Sequence, residues 1–499
     1  MVIRFTIVLK TNHYFINNFL LSCLCMVILA LSVDSLLSFE KQKGYSSDSL
    51  PNNFQIDASN GISTLSINSV TEEKMERTIQ NMEENIDIVL PSMEDFQKFK
   101  NEIHQMMESQ IANQYIVILK NNYSISSEDQ LNLSSIIKEK KVELLNQFDD
   151  VVKGVTIKIN DPQTLEDIKN NPNVAFVEKD QLVYIFDPFN ENLTQFSSQI
   201  IPYGVDRIDG DLSSTKSGNG NGNVDVDIAI LDTGVSLTHP DLNIYKQVTF
   251  VSGTTNANDD NGHGTHVAGI AAAKDNSQGS VGVAPGARIW AVKLLDYNGY
   301  GTISNIIKGV DYVTKNANKI DVANLSFGCE CTSEAMNLAI NKAIKAGVTF
   351  VVAAGNSGKD GKTFSPGNNP NVISVSAIVD SDGKCGGMGI NTRYGNDDTL
   401  ATFSNFGNTV DIAAPGVNIY STFKDESYAT LSGTSMASPY VAGAVALYKS
   451  THPSASPSSV FDTLVSSGST KLTCDGKGFG SFSEDKDSKK EPVLYVKNF

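Results

Sequence analysis

Three short segments carry side chains whose types and spacing suit nucleophilic catalysis. Asp232 directly follows a β-branched apolar run, which predicts that it lies at the carboxyl edge of a buried sheet, where open α/β folds bind their ligands. His263 stands between glycines where a helix should begin, and Ser435 precedes the apolar helical run 441–447. A carboxylate can orient an imidazole, and the imidazole can take the proton of a hydroxyl that then attacks an acyl carbon. The three residues together predict acyl-transfer chemistry.

Each of these residues also has a plainer interpretation. Asp232 and Ser435 are types that commonly cap helix N-termini. His263 and His266 are spaced i, i+3, as metal ligands can be, but the sequence has no HExxH pattern and no acidic third ligand beside them. The triad is therefore favoured over a catalytic metal.

The elements that must position these side chains are visible in the same region. Between residues 203 and 499, glycine-rich loops alternate with β-branched runs such as 226–230 and 348–354, and helical segments separate them. Largely apolar strands separated by helices predict a parallel sheet that is covered on both faces. The region therefore predicts an α/β fold.

A smaller α+β pattern precedes this domain. Its predicted elements alternate between strand and helix, and they are strand 115–120, helix 131–148, strand 151–159, helix 162–170 and strand 174–186. Further upstream, residues 40–70 lack apolar periodicity and predict a polar linker. Two short amphipathic helices are expected on either side of Pro91, at 75–86 and 96–106.

The first 35 residues predict a secretory signal. Arg4 and Lys10 precede the apolar run 19–33, and small residues near the end of that run suit a cleavage site. An uncleaved membrane anchor is the alternative, because the stretch 16–37 is long enough to span a bilayer. The protein is therefore expected to be secreted or else anchored to a membrane.

Two of the six cysteines, Cys23 and Cys25, would leave with this signal. The other four can form up to two disulfides in an exported chain, and they are Cys329, Cys331, Cys385 and Cys474. The first two of these are only two residues apart, which disfavours a mutual bridge. The alternative is that the cysteines bind a zinc ion, and it is disfavoured because no histidine lies near the Cys-x-Cys pair.

The charge balance limits the possible partners. The chain has 39 basic and 56 acidic residues and a formal net charge of −17. Such a field repels phosphate backbones, which argues against a nucleic-acid partner. An acidic surface can aid solubility or bind hard cations.

The sequence around the three candidate residues resembles a known family. The segments at 231–234, 263–269 and 433–439 (LDTG, HGTHVAG and GTSMASP) resemble the three signatures of subtilisin-like serine peptidases, whose triad also follows the chain order Asp, His, Ser. The resemblance extends from about residue 202 to the C-terminus. It implies a three-layer α/β domain over residues 187–499, with a mostly parallel central sheet flanked by helices.

The resemblance also implies roles for individual residues. Asp232 would orient His263, His263 would act as general base and acid, and Ser435 would be the nucleophile. Asn356, in the segment AAGNSG, would donate a hydrogen bond to the developing oxyanion. The implied substrate-binding edge would pair with peptides as extended strands, and its residues are Ser326, Phe327 and Gly328, with Leu295 on the facing edge.

Family members often hold a structural calcium ion, and no organic cofactor is implied. Its oxygen ligands would come from a carboxylate, amides and backbone carbonyls, and the matching residues are Gln199, Asp241, Asn276, Lys274, Gln278 and Ser280. Residues 111–186 resemble the family's inhibitory propeptide, which proenzymes cut from themselves. The cut would follow Phe186 or lie nearer Ser197, and residues 36–110 have no counterpart in the resemblance.

The expected function is that of a secreted serine endopeptidase, made as an autoprocessed proenzyme and acting as a monomer through an acyl-enzyme. A catalytically silent binding protein is disfavoured, because the triad and Asn356 are intact. An acyl transferase such as a peptide ligase would use the same residues, and it stays open at this point.

Overall fold

The computed structural model describes residues 93–120, 142–185, 198–471 and 473–499, together with short strands at 54–57, 64–67 and 192–193. The chain divides into two units, residues 1–98 and residues 99–499. Three predicted features lie outside the described residues: the signal at 1–35, the helix at 75–86, and the candidate cleavage sites at Phe186 and near Ser197. Among the helices of the described part, none is long and apolar enough to cross a membrane.

The first unit contains a hairpin where the sequence predicts only linker. Strand β1 (Phe54–Asp57) pairs antiparallel with β2 (Thr64–Ile67). The linker prediction is therefore wrong for these residues. The signal was the alternation of apolar and polar residue types over four positions in each strand, which is the period of a β-strand.

The smaller module contains, in chain order, α1 (Met93–Gln110), β3 (Gln114–Leu119), β4 (Glu143–Phe148), β5 (Gly154–Lys158), α2 (Pro162–Lys169), β6 (Val174–Lys179) and β7 (Leu182–Tyr184). Four of these strands form an antiparallel sheet in the order β4-β5-β3-β6. The short strand β8 (Asn192–Leu193) follows the module and pairs with a strand of the larger domain. The predicted helix at 96–106 is confirmed as α1.

Two predictions for this module need correction. The predicted helix at 131–148 is wrong at its end, because residues 143–148 pair with β5 as strand β4. Backbone pairing with β5 therefore outweighs the helical pattern predicted for these residues. The predicted strand 174–186 is divided into β6 and β7 by Asp180 and Gln181.

The larger domain contains α3 (Tyr203–Arg207), β9 (Asp227–Asp232), β10 (Ile244–Thr249), α4 (His263–Ala272), β11 (Arg288–Lys293), β12 (Tyr300–Thr302), α5 (Ile303–Lys315), β13 (Ile320–Leu325), α6 (Glu334–Lys345), β14 (Thr349–Ala353), β15 (Ile373–Ile378), β16 (Ile412–Pro415), β17 (Ile419–Phe423), β18 (Ser427–Leu431), α7 (Thr434–Thr451) and α8 (Pro457–Ser467). Seven strands form one parallel sheet in the order β10-β11-β9-β13-β14-β15-β16. The strand order changes direction beside β9, which is where open α/β folds bind ligands.

The sheet separates two apolar cores, as the predicted α/β fold requires. Ile228 and Ile230 of β9 pack into a core that includes residues of α4 and α7. Ala229 and Leu231 pack into a second core, with residues of α5 and α6. Successive strand residues point to opposite faces, so both faces of β9 are covered by helices. The three-layer architecture is confirmed.

The cysteine pairing corrects one sequence expectation. Cys329 is bonded to Cys331, and Cys385 is bonded to Cys474. The first pair is possible because the chain bends around the Ser365 amide, whose N–H donates to the carbonyls of both Cys329 and Cys331. The two Cα atoms are consequently 5.1 Å apart, within the range that a disulfide spans.

Candidate active site

Asp232 and His263 form a buried pair at the carboxyl end of the central strand. Asp232 is the last residue of β9, and His263 is the first residue of α4. The Nδ1 of His263 lies 2.7 Å from Oδ1 of Asp232, which also accepts the Thr233 N–H at 2.7 Å. An Nδ1 proton held by the carboxylate leaves the Nε2 of the neutral ring as the atom that can accept a proton.

Glycines allow α4 to start this close to β9. A Cβ atom on Gly264 would lie 2.1 Å from the carbonyl oxygen of Gly234 and 3.0 Å from the Cβ of Asp232. Gly234 itself has a φ of 106°, a conformation that residues with side chains rarely adopt. The glycines beside the catalytic motifs are therefore required by close approach of the backbone, in addition to any contact with a ligand.

The ionisation of Asp232 reflects two opposing effects. Its side chain is fully buried, and burial raises the pKa of the carboxyl. The charge and hydrogen bond of His263, and the Thr233 N–H, act in the opposite direction. A proton that arrives on His263 therefore forms an ion pair with Asp232 in a region of low dielectric, where the attraction is strong.

Asp259 holds the loop that leads into α4, and sequence reasoning missed it. Its Oδ1 accepts hydrogen bonds from Thr233 Oγ1 and from the N–H groups of Asn261 and Gly262, and its Oδ2 accepts from the N–H and hydroxyl of Thr265. Asp259 is buried. It thus links the residue after Asp232 to the turn that carries His263. The sequence offers no signal for this role, because Asp259 is one of several polar residues in the loop before His263.

Ser435 is attached to the end of the neighbouring strand β13. It is the second residue of α7, and its Oγ donates to the carbonyl oxygen of Ser326 at 2.9 Å. The Ser326 hydroxyl donates in turn to the carbonyl of Ser435 at 2.9 Å, and it accepts from Nδ2 of Asn324 at 2.8 Å. These bonds fix the start of α7 against the strand edge next to β9.

Asn356 presents an amide donor beside Ser435. Its Oδ1 accepts from the N–H of Thr434 at 2.9 Å and from the Thr434 hydroxyl at 2.7 Å. The opposite end of the amide, Nδ2, is buried and has no hydrogen-bond partner among the described residues. A buried donor without a partner is costly unless a ligand satisfies it. Thr434, which the sequence analysis did not single out, therefore orients Asn356.

A strand of the smaller module lies along the predicted substrate edge. β7 pairs antiparallel with β12, and Tyr184 pairs with Gly328 on its other side. Tyr184 and Gly328 exchange both backbone hydrogen bonds, at 3.0 and 3.2 Å. The domain thus receives an extended peptide between two edges, as an added strand.

The predicted edge residues occupy different positions around this strand. Gly328 pairs with Tyr184, whereas the Phe327 side chain is fully buried in the core. The facing edge starts at Gly299, whose carbonyl accepts the N–H of Ile185 at 3.1 Å. Leu295 precedes that edge, and its side chain is buried.

Two carboxylates of the smaller module bind the N-termini of helices in the larger domain. Glu178 Oε2 accepts the N–H of Ala335 at 3.1 Å at the start of α6, and Asp180 Oδ1 accepts the N–H of Ser304 at 3.1 Å at the start of α5. Negative groups are favourable there, because the first N–H groups of a helix have no partner within it. Burial raises the pKa of Asp180 to about 6.

The structure also brings together the residues predicted to bind calcium. Nδ2 of Asn276 donates to Asp241 Oδ1 at 2.6 Å, and the Asn276 N–H donates to Gln199 Oε1 at 2.5 Å. The Ser280 N–H lies 3.3 Å from Asp241 Oδ2. Burial raises the pKa of Asp241, while the hydrogen bonds from Asn276 and Ser280 lower it.

The remaining predicted ligands lie on the same loop. The Gln278 N–H donates to Asn276 Oδ1 at 2.7 Å, and the Lys274 N–H donates to the Asp241 carbonyl at 2.9 Å. Asp241 forms no ion pair with a lysine or arginine in the described ranges, and the buried Ser280 hydroxyl has no hydrogen-bond partner there. The Asp241 carboxylate already accepts from Asn276 Nδ2, the Ser280 N–H and the Tyr428 hydroxyl, so a calcium ion bound by this carboxylate would replace donors that now face it.

Comparison with known sequences identifies the class of protein. Residues 223–485 match the subtilase family, and residues 93–186 match peptidase inhibitor I9. The first match covers more than half of the sequence, and the chain belongs to the subtilase family. It is a serine-type endopeptidase that carries an I9 propeptide.

Two relatives that are more than 30% identical to this chain agree with this assignment. An alkaline protease from Shouchella clausii is 36% identical over 352 residues, which cover 70% of this chain and 83% of the relative. Subtilisin E from Bacillus subtilis strain 168 is 34% identical over 363 residues, which cover 72% of this chain and 86% of the relative. The crystal structure of a cold adapted subtilisin-like serine proteinase is 32% identical, covers 59% of this chain and 97% of its own, and gives a TM-score of 0.48.

Proposed function

We propose that the protein is a secreted endopeptidase, made as a proenzyme that cleaves itself, and that Asp232, His263 and Ser435 form its catalytic triad. The observation that carries this proposal is the pairing of His263 Nδ1 with the buried carboxylate of Asp232 at 2.7 Å. Ser435 lies at the start of α7 and is hydrogen-bonded to the end of β13, the strand next to β9. Secretion is the proposal that the signal-like residues 1–35 support.

The proposed reaction begins at the Ser435 hydroxyl. His263 Nε2 takes the proton while Oγ attacks the carbonyl carbon of the substrate, and Asp232 stabilises the imidazolium that forms. The oxyanion accepts from Asn356 Nδ2, whose amide is held by Thr434, and from the Ser435 N–H in the first turn of α7. His263 then gives the proton to the leaving amine. Water then attacks the carbonyl carbon of the acyl-enzyme while His263 Nε2 takes its proton. His263 returns this proton to Ser435 Oγ as the bond between Oγ and the acyl carbon breaks, which releases the acid.

The propeptide supplies the argument for the cleavage site. Tyr184, the last residue of β7, pairs with Gly328, which lies two residues from Ser326 along the predicted substrate edge. The carbonyl of Ser326 accepts the Ser435 hydroxyl at 2.9 Å. We therefore favour cleavage after Phe186 over cleavage nearer Ser197. After the cut, β7 would still fill the substrate position and inhibit the enzyme.

The domain boundaries follow from the same proposal. Residues 187–499 would form the peptidase and residues 111–186 the inhibitory core of the propeptide. The I9 match begins at residue 93 and includes α1, whose His104 ring contacts the ring of Tyr184. This contact supports counting α1 with the inhibitor. We propose that residues 36–92 connect it to the signal.

A calcium ion bound by Gln199, Asp241 and Asn276, with carbonyls of the loop 274–280, would have a structural role. Asp241 lies in the segment between β9 and β10, so the ion would tie the loop after α4 to that segment and to the chain near Gln199. Calcium would stabilise the folded state and take no part in the chemistry. The peptidase is proposed to act as a monomer.

The decisive experiment compares the full chain with its Ser435→Ala variant. We expect the full chain to yield two fragments, the second starting at residue 187, and a fluorophosphonate to label Ser435. The variant should stay intact and unlabelled, because it lacks the nucleophile. An intact, unlabelled wild-type chain would contradict the proposed function, and a second fragment starting after Ser197 would contradict only the proposed cleavage site.

A further inference from the structure

A second group of carboxylates lies far along the sheet from Asp241. The loop between β15 and β16 contains Asp380, Asp382 and Asp397, and one oxygen atom from each lies within 4.8 Å of the others. Asp241 follows β9, whereas Asp380 follows β15, which is three strands further along the sheet. The two groups are therefore separate.

Asp380 is the member of this group that most needs a partner. Its side chain is completely buried, and neither oxygen accepts a hydrogen bond from the described residues. The Nε of Arg207 lies 3.9 Å from Oδ1, which is close enough for an ion pair but beyond hydrogen-bonding distance. A buried carboxylate without hydrogen bonds is costly, so a further group should compensate it.

Arg207 is already committed to other acceptors. Its Nε and one terminal nitrogen donate to Asp398 Oδ1 at 3.0 and 2.8 Å, and its remaining donors reach the carbonyls of Gly478 and Gly480. In the described part of the chain, no lysine or arginine pairs with Asp382 or Asp397. Among the described residues, Arg207 is therefore the one lysine or arginine that pairs with any of the three carboxylates, and it is shared with Asp398.

The other two carboxylates are held in position by the loop itself. Asp397 Oδ1 accepts from the N–H and hydroxyl of Ser381 at 2.9 and 3.0 Å, and its Oδ2 accepts the N–H of Gly389 at 2.8 Å. Asp382 Oδ1 accepts the N–H of Lys384 at 2.9 Å. Each carboxylate oxygen has a second lone pair, so these bonds leave capacity to bind a cation.

We propose that Asp380, Asp382 and Asp397 bind a calcium ion. Hard carboxylate oxygens suit Ca²⁺, which takes about 6 to 8 oxygen ligands in flexible geometry and can complete its shell with carbonyls and water. The ion would connect the start of the loop at Asp380 to its end at Asp397. It would thereby restrain the exposed segment between them, in which the side chains of Met388 and Ile390 are 86% and 79% exposed.

The site is tested in the full chain with Ser435→Ala, which prevents self-digestion and leaves the loop unchanged. Chelator-treated protein is titrated with calcium chloride, and bound ions are counted by emission spectroscopy after dialysis. We expect Asp380→Asn and Asp382→Asn each to bind one ion fewer than the parent chain. Asp462→Asn, an exposed residue on α8, serves as the matched control and should bind the parental number.

Two further measurements separate this site from others. In the Asp241→Asn chain, adding Asp382→Asn should still lower the number of bound ions by one, because the proposed ion at Asp380, Asp382 and Asp397 does not depend on Asp241. Trypsin should cut the loop at Lys384 or Arg393 at least tenfold faster when calcium is removed, and also in Asp382→Asn with calcium present. If Asp380→Asn fails to fold, Asp382→Asn decides, because its side chain is only half-buried. A parental ion count in Asp382→Asn, or no calcium bound to the parent chain, would overturn the proposal.

Discussion

The proposed catalytic centre and the contact between propeptide and enzyme use the same kinds of hydrogen bond, but their hydrogen-bond partners come from different parts of the chain. Asp232, His263 and Asp259 are joined through groups of the larger domain alone. β7, Glu178 and Asp180 bind that domain entirely across the boundary between propeptide and enzyme. The centre should therefore stay assembled when the propeptide leaves. Changes in the two regions should accordingly alter different quantities: turnover in the first and release of the propeptide in the second.

The helices at the boundary illustrate this difference. The α6 N-terminus has its own cap, in which Ser333 Oγ accepts the Met336 N–H at 3.1 Å, and Glu178 adds a second acceptor. α5 likewise has Thr302 as its own cap, in addition to Asp180. Each helix keeps one cap after the propeptide departs. Water can replace the other, so release should be possible without unfolding of either helix.

The largest effect is expected at Asp232. Asp232→Asn keeps the shape of the side chain but can no longer hold the His263 ring in the required tautomer or stabilise the imidazolium. We expect kcat on a chromogenic peptide to fall by about 10⁴-fold. Asp227→Asn, at the other end of β9, is the control and should change stability rather than kcat per folded molecule. Equal losses in both variants would contradict the assigned role of Asp232.

Next in size is the change at Asn356. Asn356→Ala removes the proposed oxyanion donor, and the loss for a donor of this kind in subtilisin is about 10²- to 10³-fold in kcat. KM should change little, because the contact forms mainly in the transition state. Thr434→Val should give a smaller fall in kcat, since it removes only one of the two hydrogen bonds that orient the amide. A large rise in KM with kcat unchanged would instead assign Asn356 to substrate binding.

The proposed catalytic residues could be identified from the sequence because each lies in a short motif next to a strand end or a helix start. The same local signal predicted that Asn356 and Gly328 follow strand ends, and they lie three residues after β14 and β13, respectively. Features that depend on pairing between distant segments were not predictable. β4 forms because residues 143–148 find β5 as a partner, and the Cys329–Cys331 disulfide forms because Ser365 bends the chain.

Buried charges were equally hidden in the sequence. Asp259 and Asp380 look like ordinary loop aspartates until folding removes them from water and decides which donors surround each one. Asp259 receives five hydrogen bonds and Asp380 receives none from the described residues. Sequence spacing carries no information about this difference.

At the propeptide boundary, the raised pKa of the Asp180 carboxyl predicts that the free energy of unfolding depends on pH. Its pKa is about 6 in the folded chain, mainly because of burial, and about 4 when exposed. The folded state therefore binds a proton more tightly than the unfolded state, so the contribution of Asp180 to stability falls as the pH rises from about 4 to 6. In chains carrying Ser435→Ala, the free energy of unfolding should decrease over this range by about 2 to 3 kcal/mol relative to Asp180→Asn.

Urea unfolding of the two chains at several pH values between 4 and 7 measures this difference. Other groups titrate in both chains and largely cancel when the two curves are subtracted. A difference that stays constant with pH would show that Asp180 keeps its ordinary pKa. Asp180 would then behave like a solvated surface carboxylate, which would contradict its burial at the boundary between propeptide and enzyme.

The smallest effect is expected at Glu178. Glu178→Gln keeps the hydrogen bond to Ala335 but removes the negative charge at the α6 N-terminus, which is worth about 0.3 to 1 kcal/mol. The propeptide should therefore leave about two- to fivefold sooner, which shortens the interval between self-cleavage, followed by mass, and the appearance of peptidase activity. Lys179→Gln changes an exposed neighbour and should leave the interval unchanged. Final kcat should be identical in all three chains, because the contact is lost before the enzyme turns over. A change in kcat with Glu178→Gln would mean that the boundary and the catalytic centre are coupled.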